Sequence, residues 1–167
     1  RYGPAFAGQF GVTLREVGNL DPGGAIPVHD PTGYGEASGH GIMAWRLGER
    51  QTFRVDLLSV EQSEVPRYDQ YISGSHQTYL YEPQRRFLGM AVYEHQRPLP
   101  WLASLEVNVS WQREHEGRIQ QRTGSDIVRT DDDVITSAGA FIQATSVVAR
   151  RHALRWGLEY YHDLVES

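Results

Sequence analysis

The chain has 167 residues, enough for one ordinary domain and too few for two, and its 40% hydrophobic and 11% aromatic content is too rich for intrinsic disorder. Sixteen Lys plus Arg against 21 Asp plus Glu leave a net charge of -5, which argues against a general nucleic-acid binder, since such proteins carry a basic excess. No run of 18 apolar residues occurs, so a transmembrane helix is excluded; a transmembrane β-strand, polar at every second position, escapes that test.

Period-two alternation, the mark of strands with two different faces, recurs along the chain. Phe6, Gly8, Phe10, Val12 and Leu14 oppose Ala7, Gln9, Gly11, Thr13 and Arg15. A long polar segment follows, from Val17 to Glu36. Met43, Trp45 and Leu47 then oppose His40, Ala44 and Arg46, and the tight turn Leu47-Gly48-Glu49-Arg50-Gln51 leads to Phe53, Val55 and Leu57 set against Thr52, Arg54 and Asp56. A second long polar segment runs from Glu64 to Gln84. Arg86 to His95 is apolar on both faces in its middle (Phe87, Leu88, Met90, Ala91, Val92), so alternation does not assign its faces. The short connection Gln96 to Pro100 keeps its prolines outside any ladder. Next comes the cleanest strand, with Trp101, Ala103, Leu105, Val107, Val109 and Trp111 on one face and Ser104, Glu106, Asn108, Ser110 and Gln112 on the other.

Glu114 to Asp132 is the third long polar segment. From Asp133 to Ala149 a helix competes with a strand, because Val134, Ala138, Phe141, Thr145 and Val148 sit near helical spacing; neighbouring strands favour a strand. A short connection from Val148 to His152 precedes Leu154, Trp156, Leu158 and Tyr160, which alternate with Arg155, Gly157, Glu159 and Tyr161. About seven strands and no helix are expected.

Short and long connections alternate strictly, so an up-and-down antiparallel meander would hold every short turn on one edge and every long loop on the other. That sorting fits an outer-membrane barrel better than a soluble sandwich, where long structureless loops are uncommon. Alternation alone does not tell an inward apolar face from a lipid-facing one. Trp101 and Trp111 lie ten positions apart on one face. At about 3.3 Å per residue and a tilt of about 40°, they would stand about 25 Å apart along the membrane normal, the spacing of two aromatic girdles. Trp101, Trp111, Trp156 and Tyr160 are therefore expected to face lipid. The opening Arg1-Tyr2-Gly3-Pro4 and the close at Leu164 to Ser167 read as cut from a longer polypeptide. The fold expected is all-β, an antiparallel up-and-down meander forming an incomplete segment of a transmembrane β-barrel.

Five short stretches, in order, resemble the barrel of TonB-dependent outer-membrane receptors. They are Pro31-Thr32-Gly33-Tyr34, Glu64-Val65-Pro66-Arg67-Tyr68-Asp69, Tyr81-Glu82-Pro83-Gln84-Arg85-Arg86, Arg122-Thr123-Gly124-Ser125-Asp126 and Gly157-Leu158-Glu159-Tyr160-Tyr161-His162-Asp163. The resemblance implies a 22-stranded barrel filled by an N-terminal plug. Its partners would be outer-membrane lipid, a ferric siderophore or haem as imported cargo, and TonB, reached through a plug that this chain does not contain. With no plug, no TonB box and no terminal aromatic residue evident, the chain corresponds to a middle portion of such a barrel. A soluble β-domain for ligand or partner binding and a passive porin-like channel are the alternatives.

The second long segment holds the candidate ligand site: Arg67, Tyr68, Tyr71, His76, Tyr79 and Tyr81 combine stacking surfaces with hydrogen-bonding tips and a cation. His76 could also serve as an axial haem ligand. His40, His95, His115, His152 and His162 lack the paired spacing of a metal site. Asp126 with Asp131, Asp132 and Asp133 could offer carboxylates to calcium, but not in EF-hand spacing. Arg67, Arg85 and Arg86 could attract an anionic chelate or balance Glu64 and Glu82. No cofactor is expected. Without cysteine, a Ser-His-Asp spacing, a phosphate loop or HExxH, and with Glu106 and Glu159 on strands not promised to be neighbours, the chain is read as a non-enzyme.

Overall fold

The alternating stretches fold as strands of a single sheet. The computed structural model describes residues 5–148 and 152–167. Its elements are β1 (Phe6–Val17), β2 (Tyr34–Arg46), β3 (Gln51–Ser63), the two-residue β4 (Val65–Pro66), helix α1 (Tyr68–Ile72), β5 (His76–Leu99), β6 (Leu102–Arg122), β7 (Val128–Val148) and β8 (His152–Glu166). Sheet order is β1-β2-β3-β5-β6-β7-β8, every pair antiparallel, with β4 added beside β5. This is the expected all-β meander, open at both edges. Arg1 to Pro4, Ala149 and the middle of the connection from Val148 to His152 lie outside the described residues.

Register decides what the two faces carry, because directly paired residues point the same way. One row runs Phe6, Trp45, Phe53, Tyr93, Val107, Ile142, Leu158 across seven strands. The next row on that face runs Gly8, Met43, Val55, Ala91, Val109, Ala140, Tyr160. Neither contains a charge, and the next brings Phe10, Gly41, Leu57, Gly89, Trp111, Ala138 and His162 together. The faces left open by sequence are thereby assigned. Phe87, Gly89, Ala91 and Tyr93 take the apolar face, as do Ala138, Ala140, Ile142 and Ala144.

The opposite face is polar but mixed. Its rows carry Arg54 with Asn108 and Glu159, then Asp56 with Ser110, then His40 with Gln112 and Asp163. Ile42, Leu58, Leu88, Met90, Val92 and Phe141 share it, which is why residues 86–95 look apolar on both sides. The rings of His40 and Tyr161 lie over Gly11 and Gly139 on this face, filling gaps that the absent side chains leave.

No second layer covers either face among the described residues. Strands touch their neighbours in the sheet, and the buried side chains are few: Tyr79, Val92, Leu102, Ala144 and Ser146. On the apolar face Leu158 is 70% exposed and Phe10 86%.

Two expectations about the connections need correction. The polar segment from Glu114 to Asp132 is largely strand, as are residues 76–84 of the segment from Glu64 to Gln84. Beyond the apolar band β5, β6 and β7 continue as a projecting ladder, leaving residues 64–75 with β4 and α1, and residues 123–127, as the connections. Cross-strand polar pairs support the extension, including Gln120 donating to Asp131 (2.9 Å), His115 with Asp132 (2.9 Å) and Arg118 with Asp133. The third, residues 18–33, is irregular as expected. It is tied together by Asn19, whose Oδ1 accepts from the Thr32 and Gly33 amides at 2.8 Å while its Nδ2 donates to Asp30.

Trp101 is the second correction. It occupies the turn before β6, and a register shift between Leu102 and Ser104 interrupts the alternation. Opposite Ser146, Leu102 takes the place on the apolar face that strict alternation gives to Ala103, so the alternation no longer carries through to Trp101. Trp111, Trp156 and Tyr160 do lie on that face.

Candidate functional site

The candidate ligand residues gather where β4 and α1 fold back on β5. Pairing of Val65 with Tyr81 and of Pro66 with Leu80 brings the chain alongside the strand, and the Arg67 amide donates to the Tyr79 carbonyl at 2.9 Å. The Tyr71 hydroxyl then accepts from the Tyr79 amide, also at 2.9 Å, pinning α1 to the strand. Neither His76, Tyr79 nor Tyr81 is a loop residue; all three stand on β5.

The register puts these three side chains on the polar face, since Tyr81 pairs with Arg118, Tyr79 with Gln120 and His76 with Arg122. Tyr79 is the centre. Its ring meets His76 at 5.2 Å and Tyr81 at 6.0 Å, both edge-on, and the Arg67 guanidinium lies 5.4 Å from its centroid. Tyr68 turns away from this group and stacks on His29 at 4.8 Å, linking α1 to the connection of residues 18–33. Tyr71 contributes its hydroxyl to the backbone rather than a ring to the group.

Charge is held in place around the rings. Hydrogen bonding to Tyr79, then to Asp69 at 3.1 Å, raises the Arg67 pKa above its ordinary value. Desolvation is the largest influence on Asp69 and pushes it upward, yet hydrogen bonds from Gln70 and Arg67 leave its carboxyl below the usual range. Arg118, beside Tyr81 in the ladder, reaches Asp133 and Glu116; its Nε is buried without a hydrogen-bond partner. Sequence reasoning passed over Arg118 and His29 because both lie in polar stretches read as loop.

The remaining candidates separate. Arg85 and Arg86 take opposite faces, Arg85 bound to Glu61 (2.7 Å) and Arg86 to Glu114 (3.1 Å). Neither balances Glu82, whose carboxylate accepts from the Glu64 amide instead. The acidic run is likewise divided, Asp131 meeting Gln120 and Arg129, Asp132 meeting His115, and Asp133 meeting Arg118. Among the described residues no three His, Asp or Glu side chains converge as a metal site would require. Tyr79 itself is buried, so what the cluster offers a ligand is the part-exposed His76 and Tyr81 rings braced on it and one half-exposed guanidinium, suited to a flat or anionic ligand.

Comparison with protein-family models, with curated proteins and with solved structures returns no match for this chain.

Proposed function

We propose that this chain is a barrel segment of an outer-membrane TonB-dependent receptor that binds a scarce nutrient, a ferric siderophore or haem, and passes it to the periplasm. The observation that carries this reading is the apolar face, unbroken across seven strands and covered by nothing among the described residues. In water such a sheet would lack the buried area that stabilises a domain; against hydrocarbon the same face is satisfied, and closure of the ladder removes its open edges. The polar face then lines the passage, and the cluster stands at its loop-side mouth, with Tyr79 and Tyr81 on β5 and Arg67 in the connection folded back against that strand.

The test is uptake by cells carrying the full-length gene. Accumulation of labelled ferric siderophore or haem should depend on both this gene and TonB, and Arg67→Ala should weaken ligand binding by about tenfold, in line with the loss of a charge-assisted contact. Uptake that persists without TonB would identify a passive channel. A protein that is monomeric without detergent and absent from membranes would identify a soluble β-domain.

A further inference from the structure

The apolar face carries a feature that transport through the opposite face does not use. Every one of the chain's sixteen basic residues is arginine. Among those in paired ladder positions, all but two sit on the polar face; the exceptions are Arg85 and Arg113. Arg113 pairs directly with Phe87, and Arg85 with His115 one step further from the apolar band. Diagonal neighbours of this kind are about 7–8 Å apart at the backbone, within reach of one shared tetrahedral anion.

We propose that Arg85 and Arg113 seat the phosphate of a membrane lipid headgroup. This rests on the membrane reading above. Phe87 and Trp111, 5.6 Å between ring centroids, end the apolar band, and aromatic rings at such ends sit at the headgroup level. Arg113 follows Trp111 by two residues, so at the usual rise and tilt it stands about 5 Å further out, where lipid phosphates lie. A depression of about 350 Å³ opens there, with Phe87, Trp111, Arg85, Arg113, His115 and Glu61 among its lining residues. Arg113 is exposed and has no ion pair among the described residues. Arg85 bonds Glu61, but that pair is half exposed, worth little, and leaves guanidinium donors unused. At headgroup level two outward guanidiniums are tolerated, and an anionic phosphate there matches both by charge and by fork geometry.

The experiment uses the full-length protein in neutral detergent, with phosphatidic acid as the probe and native mass spectrometry as the readout. Wild-type protein should retain phosphatidic acid but not diacylglycerol of the same acyl chains. Arg113→Gln combined with Arg85→Gln should cut the bound fraction by about tenfold or more, and Arg113→Gln alone, at an exposed position, by part of that. Arg15→Gln, the same charge change on the polar face, should leave it unaltered. Inorganic phosphate should not displace the lipid; full displacement would mean a free-anion site and overturn the headgroup assignment, as would equal retention by the double variant. Flotation with phosphatidylcholine vesicles separates the two readings. Protein that floats yet shows no preference for the phosphorylated lipid sinks this inference alone, whereas protein that never floats sinks the membrane reading and this inference with it.

Discussion

At the residue scale, Gly117 and Asp133 have the most sharply defined surroundings. Gly117 lies opposite the irregularity where β5 loses register between Tyr81 and Gln84, and a Cβ there would stand 2.2 Å from the Glu82 carbonyl oxygen. Because the obstacle is backbone, Gly117→Ala should cost about 1–3 kcal/mol in denaturant unfolding, the range for forced overpacking. Gly139→Ala meets only the side chains of Tyr161 and Ser110, which can swing aside, so it should cost less. Asp133 is held below the usual carboxylate range, first by a hydrogen bond from the Ser167 side chain and then, against desolvation, by Arg118. A carboxyl whose folded pKa is depressed contributes its full stabilisation above the unfolded value, roughly pH 4, and loses it as pH falls through the folded one. Amide exchange beside Asp133 in the ladder between β6 and β7, corrected for intrinsic rate, should therefore accelerate as acid takes the pH below about 4. Part of the candidate site was legible at this scale, since Tyr79 and Tyr81 share a face by simple alternation. The partnership of Arg67 with Tyr79 was not, because it depends on β4 folding back along β5, and nothing in local periodicity encodes that return.

At the element scale, alternation marks strands only where one face is dry. Five of the seven long strands were visible where Phe, Val, Leu and Trp alternate with polar residues; β5 showed no contrast between its faces, and β7 was preferred over a helix on the strength of its neighbours. The projecting parts of β5, β6 and β7 were read as loop because both of their faces are wet, as in Glu114-His115-Glu116-Gly117-Arg118, so no period-two contrast remains. Ladder hydrogen bonds and paired charges hold them instead of apolar packing. Helix α1, five residues long, is too short to display any period. Trp101 was misplaced for a related reason, since an irregularity at Leu102 shifts parity without changing composition. Limited proteolysis should discriminate the two pictures of this region: cleavage confined to residues 123–127 and 64–75 is expected of a paired ladder, whereas cuts throughout 114–132 would be expected of a loop.

At the scale of the whole molecule, the faces predict opposite responses to one new charge. Val107 and Asn108 are adjacent on β6 and lie on the apolar and polar faces respectively. In the full-length protein refolded into lipid vesicles, Val107→Arg should cost about 2–4 kcal/mol near the bilayer centre, while Asn108→Arg should cost far less. Equal penalties would contradict the assignment of the apolar face to hydrocarbon.

The count of long strands has a consequence of its own. Seven alternate in direction, so β1 and β8 travel the same way and cannot complete an antiparallel ladder by meeting each other. Two copies joined β8 to β1 would meet in parallel, and copies joined like edge to like would stand upside down relative to one another. A ring that keeps alternating directions and one orientation in the membrane must therefore interpose an odd number of further strands between these margins. If the sheet is part of a barrel, as proposed, arithmetic of direction alone, independent of any side chain, would make the outer hydrogen-bonding rows of β1 and β8 its seams.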